Sequence, residues 1–433
     1  MDIGIGVSDI TPQLGIEMTG YYYRRTAEGV HDRLHAKAIL FDDGRTRAAL
    51  ISCDICSFTE EAVAAVKEKL SQLQFISFDS IILCATHTHT GPAVTPGYIP
   101  VLAEGVRDSL QKAHQDLSPG ELNCGVATLE GMFFNRRYFM KDGSVVTNPG
   151  KCNPDILKPA GPPATEIPFV RLDRKGRKTW ILVNVPTHPD TIAGSLISAD
   201  YPYFIELGLK EKLKDLAGIV YTNGTSGDIN HWDVKDASPQ RGFPEAERIG
   251  RAVAAAVAVR LLKAEKIPVL TIKAVAGKVR LPYISVTREE IAQAKETMEK
   301  PYPKGVDFTL EAVNAKKVLK ASRLSGRYYE TDIVVFGLGN LALVGVPAEI
   351  FVELGNGIKN ASPFKTTILN DLSFVCAGYI ATEKAYRQGG YEVVSNIFKP
   401  ETGKILADAI VALLHSGENS GVPQDGHQKG KTI

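Results

Sequence analysis

SIILCATHTHTGP, residues 80–92, runs from an apolar segment into a polar one without a charged side chain. The first half, with two adjacent isoleucines, reads as a buried strand, and Gly91-Pro92 ends it. Reactive side chains just beyond a buried strand fit an α/β fold, because open α/β sheets bind ligands outside the carboxyl ends of their strands. His87 and His89 are two apart, so on extended backbone both rings project to one face. Paired imidazoles are good borderline ligands for zinc. The alternative is a polar strand end with two hydrogen-bonded histidines.

Outward from this stretch, strand-like runs alternate with helical ones. Residues 48–53 read as a strand and 60–73 as a helix with Thr59 as its N-cap. Residues 101–114 form the next helix; 179–185 and 218–222 are buried strands with a helix at 204–213 between them. Residues 245–262 make a long Ala/Val-rich helix, and Pro244 suits its start. Strands follow at 269–279 and 331–336, with helices at 288–298 and 310–322. A strand at 341–346 leads into a helix from about residue 348, and 148–163 and 301–303 are loops. The pattern predicts a mixed α/β fold whose β-sheet core, of one or two sheets, is flanked by helices. Residues 1–415 are expected to form one domain, and the polar segment 416–433 a mobile tail.

Composition narrows the function. The chain has 433 residues, 44% hydrophobic and 23% charged, with a net charge of +1. That balance gives no electrostatic footprint for nucleic acid, and no apolar run approaches the length of a membrane span. The opening MDIGIGVSDITPQLGIEM has neither the basic region nor the apolar core of a signal peptide. Six scattered cysteines fit reduced, mostly buried thiols better than a disulfide framework. Cys53 and Cys56 form a C-x-x-C with no second pair, a poor case for a zinc ribbon. A cytoplasmic protein acting on a small molecule is the expectation.

Three more strand ends carry chemistry. In WILVNVPTHPD, His188 follows an apolar run and precedes a proline that stops strand pairing. In GIVYTNGTSGDINHWD a Gly-rich turn carries Asn223, Ser226, Asp228 and Asn230, with His231 expected beside the site or on the surface. The backbone amides of such a turn can cradle an oxyanion, or the turn is merely tight. In LALVGVPAEIFVELG, Glu349 sits where strand gives way to helix. There it either interacts with the helix dipole or reaches a metal held by His87 and His188.

In order, these segments resemble the neutral ceramidases. The family's opening GVG-x-x-DIT appears as GIGVSDIT (4–11), its GIH-x-R-x-x-A-x-A as GVHDRLHAKA (29–38), and its THTHSGP as THTHTGP (86–92). Its N-R-S element appears as Asn135-Arg136-Arg137, its P-G-E as Pro347-Ala348-Glu349, and its tyrosine-rich stretch as GYIATEKAYRQGGYE (378–392). The resemblance runs from residue 4 to about 400 and implies a fold like that family's catalytic domain.

It also implies a zinc ion held by His87, His188, Glu349 and Tyr379. His89, Arg136 and Tyr391 would lie beside the scissile bond. Two departures separate the chain from the family. Asn230 stands where the family turn has a serine, and the chain is expected to carry neither a secretion leader nor a C-terminal immunoglobulin-like domain. The implied activity is zinc-dependent hydrolysis of an amide in a small polar substrate rather than ceramide, with Asn230 and Asp228 helping to set specificity. Lactone, ester or sugar-derived substrates are the nearest alternatives, and an inactive binding protein is the next.

Overall fold

The computed structural model describes residues 1–300 and 309–418. A nine-stranded mixed sheet dominates it. Its path runs Leu216–Asn223, Thr179–Val185, Glu166–Arg174, Ser118–Thr128, Asp2–Asp9, His35–Asp42, Arg47–Cys53 and Ile81–Ala85, with Glu265–Ile267 paired beside Ser118–Thr128. The outermost pair at each end is parallel and the interior pairs are antiparallel. A second sheet of four strands holds Ile272–Pro282, Tyr328–Leu338, Leu341–Gly345 and Thr366–Asn370.

The large sheet curls until its ends approach each other. Ser52, next to one edge, donates a hydrogen bond to the Tyr221 carbonyl on the opposite edge strand at 2.5 Å. The segment after Thr366–Asn370 closes the gap. Phe374 N donates to Leu83 O on one edge (2.7 Å), and Asp371 N donates to Asn223 O on the other (2.9 Å). The strand ends carrying His87, His188, Asp228 and Glu349 are thereby gathered at one place, although they come from both edges and both sheets.

Local chemistry explains the elements. Thr59 caps Glu60–Ser71 by accepting from Ala62 N, and Thr287 with Glu290 forms a capping box on Arg288–Glu299. Phe243–Leu261 has Pro244 in its first turn and buries Ala246, Ile249, Gly250, Val253, Ala254 and Val257 along one face. The glycines of the opening motif serve packing. At Gly4 and Gly6 a side chain would collide with the backbone of helix Ile99–Gln115.

Several expectations need correction. The helix placed from about residue 348 starts at Val352, and Glu349–Ile350 is instead a short strand bridged to Tyr379–Ile380. The 148–163 loop contains the strand Ile156–Pro159. Helix Thr402–Gly417 runs two residues past the expected end of the folded chain at 415. The loop at 301–303 and tail residues 419–433 lie outside the described residues. All six cysteines are free. Among the described residues, no helix is long and apolar enough to cross a membrane.

Candidate metal centre

His87 and His188 reach one point by different routes. His188 leaves strand Thr179–Val185 and is 1% exposed. His87 follows strand Ile81–Ala85, but not on extended backbone: its φ is 69°, a left-handed conformation uncommon for a residue with a side chain. The expectation that extended backbone at 87–89 sets both rings on one face is therefore wrong in its geometry. The rings meet because the chain turns, and His89 Nε2 lies 3.2 Å from His87 Nε2.

Hydrogen bonds to the far ring nitrogens fix what the two histidines present. His87 Nδ1 lies 2.8 Å from Cys56 O, and His188 Nδ1 lies 3.1 Å from Ile229 O. A carbonyl only accepts, so each Nδ1 carries a proton, and each ring in its neutral form leaves a lone pair on Nε2. Both Nε2 atoms face one carboxylate oxygen: Glu349 Oε2 is 2.9 Å from His188 Nε2 and 3.5 Å from His87 Nε2. Three lone-pair donors converging in a buried space call for a cation.

The same demand shows in the proton affinities of these groups. Burial pulls the His87 pKa down, but Cys56 and Glu349 outweigh it and lift it to about 10. Burial pushes Glu349 up, yet His87, His188 and Arg136 hold it at about 2. The donor set, two imidazoles oriented by carbonyls and one carboxylate, could hold a metal ion.

Tyr379 stands beside this set. It is the bridge partner of Glu349, and its hydroxyl is 3.5 Å from His188 Nε2. Arg136 closes another side, with Nη1 3.4 Å from His188 Nε2 and its guanidinium 5.0 Å from the Tyr379 ring centre. Its Nε donates to Glu392 at 2.7 Å and its Nη2 to Gly227 O at 2.9 Å. Tyr391 stands 5.7 Å from Tyr379, ring to ring, with its hydroxyl 2.6 Å from that of Tyr22. Burial and the neighbouring His87 pull His89 down to about 3, so its ring is neutral.

The hydrogen bonds of two expected site residues run to neighbouring backbone and side chains rather than to the histidines or Glu349. Asp228 accepts from Val352 N (2.9 Å) and Asn135 Nδ2 (2.6 Å), and its carbonyl accepts from Arg136 N. It fastens the helix after Glu349 to the backbone carrying Arg136. Asn230 donates to Asn148 (2.7 Å) and accepts from Trp232 N (3.1 Å). The Gly-rich turn is no open cradle either. Ser226 N donates to Asp371, Gly224 N to Val185 O and Gly227 N to Ile350 O. Gly227 is small because a Cβ there would come 2.5 Å from Glu349 O.

Sequence reasoning passed over Glu392 and Asp371, and set Cys56 aside as half of an isolated C-x-x-C. Glu392 is fully buried and binds Arg136 and Thr147; it stands next to Tyr391 in the motif that was read. Asp371 anchors the Glu349 strand by accepting from Ile350 N at 3.0 Å. Cys56 puts its sulfur 3.6 Å from His87 Nδ1, so Cys56, His87 and His89 form a rival donor group beside His87, His188 and Glu349. His231 is buried, 1% exposed, with Nε2 3.0 Å from Gln240 O.

Residues 1–149 match the family model described as neutral/alkaline non-lysosomal ceramidase, N-terminal. The neutral ceramidase of Pseudomonas aeruginosa is 23% identical over 95% of this chain and 72% of its own length. The chain is thus similar in sequence to a neutral ceramidase along nearly its whole length. That of Mycobacterium tuberculosis is 28% identical over 46% of this chain, and the match spans about a third, 34%, of the relative's length. For neutral ceramidase A of Dictyostelium discoideum the match is 27% identical and spans 23% of the relative. The crystal structure of the Pseudomonas aeruginosa neutral ceramidase superposes with a TM-score of 0.74 at 19% identity, over 96% of this chain and 74% of that one. The mixed α/β fold is thus shared with that structure over nearly all of this chain.

Proposed function

We propose that the chain is a zinc-dependent hydrolase that cleaves an amide bond in a small polar substrate. The observation that carries this reading is the pair of carbonyl-locked histidines whose Nε2 lone pairs face Glu349. His87, His188, Glu349 and Tyr379 would hold the ion. Zinc bound there supplies a water of pKa near 7 and an electrophile for a carbonyl oxygen.

The surrounding side chains do the rest. Glu349 offsets the ion's charge. Arg136, locked by Glu392, offers a fixed cation to the oxyanion that develops at the scissile carbonyl. The Tyr391 hydroxyl would donate a hydrogen bond beside it. His89 presents a neutral ring as a proton acceptor next to His87.

Asn230 supports a substrate other than ceramide. The family resemblance puts a small hydroxyl there, whereas an amide brings both donor and acceptor and is already engaged with Asn148. The test is turnover of amide, lactone, ester and detergent-solubilised ceramide panels by zinc-loaded wild type and Asn230→Ser. Amide turnover without ceramide turnover is expected. Wild-type ceramide hydrolysis at a kcat/KM above about 10⁴ M⁻¹s⁻¹ would refute the substrate reading, and hydrolysis confined to lactones or esters would refute the amide reading.

A further inference from the structure

Residues 19–25 form a collar against the metal centre, tied down at several points. Gly20, at φ 103°, runs so close to His89 that a Cβ would come 2.6 Å from its ring. The Tyr21 hydroxyl donates to the carbonyls of Asp190 and Ile192, 3.2 Å from each, and its ring stands edge-on to His89. Arg25 lies 4.3 Å from the Tyr21 ring centre and donates to the carbonyls of Thr19 (2.6 Å), His89 (2.5 Å) and Gly194 (3.0 Å). The collar is therefore fastened to the backbone that carries His89 and to the loop following His188.

Tyr22 is the residue that reaches across. Its hydroxyl meets that of Tyr391 at 2.6 Å, with the rings edge-on at 6.3 Å. Tyr391 in turn packs on Tyr379, whose hydroxyl touches His188. Three phenols thus form a file from the surface, where Tyr22 is 46% exposed, to the candidate ligands.

Resting on the metal-hydrolase reading above, we propose that Tyr22 is a specificity-determining residue that, with Tyr391, walls the space beside the metal centre against long alkyl chains. A chain threaded between the two rings would part the hydroxyls and leave them against hydrocarbon, whereas a polar substituent replaces the bond it breaks. The substrates admitted are amides with short acyl groups and hydroxyl or amino substituents.

The test uses hydroxamates, which chelate zinc whether or not the protein turns anything over. Acetohydroxamate and octanohydroxamate are titrated by calorimetry into zinc-loaded wild type, Tyr22→Ala and Tyr23→Ala. Wild type and Tyr23→Ala are expected to bind the acetyl probe at least tenfold more tightly. In Tyr22→Ala, with zinc content unchanged, the ratio of octanoyl to acetyl affinity should rise at least tenfold. An unchanged ratio in Tyr22→Ala, or an equal rise in Tyr23→Ala, overturns the wall. Absence of any hydroxamate binding to zinc-loaded wild type overturns instead the metal reading beneath it.

Discussion

Tyr379 and Glu349 are register partners in a two-stranded parallel bridge, and both side chains end within reach of His188 Nε2. The bridge makes two candidate ligands a single structural unit. Asp371 holds that unit through Ile350 N, and Gly378 O holds it through Glu349 N at 3.0 Å.

One consequence concerns Asp371. Its Oδ2 accepts from both Ile350 N and Ser226 N, so it sets the distance between the Glu349 strand and the Gly-rich turn. Asp371→Ala is expected to weaken zinc affinity by about 10–100-fold, the usual effect of losing a group that orients a ligand. Competition with a fluorescent zinc chelator measures it. Unchanged affinity would show that the bridge is positioned by other contacts.

The histidine pair separates by role. His87→Ala should lose both zinc and activity, whereas His89→Ala should keep zinc and lose activity. Metal analysis beside an amide-hydrolysis assay checks this. Equal loss of zinc in both variants would mean that His89 is a ligand.

Glu392 neutralises a buried cation. Its carboxylate is 2.7 Å from Arg136 and 3.5 Å from Arg137, with no solvent access. Glu392→Ala strands buried guanidinium charge, which typically costs about 3–5 kcal/mol. Urea unfolding should show that loss, together with a fall in kcat as Arg136 loses its anchor. A change below about 1 kcal/mol would mean that water reaches the site and screens the pair.

Asp200 gives a pH dependence of defined sign. It is fully buried, caps helix Tyr201–Lys212, and burial lifts its pKa to about 7. A raised carboxyl binds its proton more tightly folded than unfolded, so its contribution falls as pH rises from about 4 to 7. Asp200→Asn mimics the protonated acid and should flatten that decline in urea midpoints. An identical slope in both proteins would mean that Asp200 is ionised throughout.

How far the sequence foretold this molecule varies with the kind of signal. Thr179–Val185 and Leu310–Ser322 were readable to the residue, because apolar period and a capping threonine mark them locally. Asp2–Asp9 and Ser118–Thr128 were missed: glycines and polar residues interrupt both, and pairing with other strands holds them. The gathering of His87, His188 and Glu349 depends on a sheet curling until its edges meet, which no local period encodes. Tyr379 entered through the family resemblance alone. Asp228 and Asn230 were read as chemistry because they follow a buried strand, but their hydrogen bonds go to Val352, Asn135, Asn148 and Trp232.

The most direct test of the central claim is anomalous diffraction at the zinc edge from crystals of zinc-loaded protein. One peak is expected, about 2.0–2.2 Å from the nitrogen and oxygen donors of His87, His188 and Glu349, with the Tyr379 hydroxyl as the remaining protein ligand. A peak bound by Cys56, His87 and His89 instead, or no peak among these residues, would contradict the account.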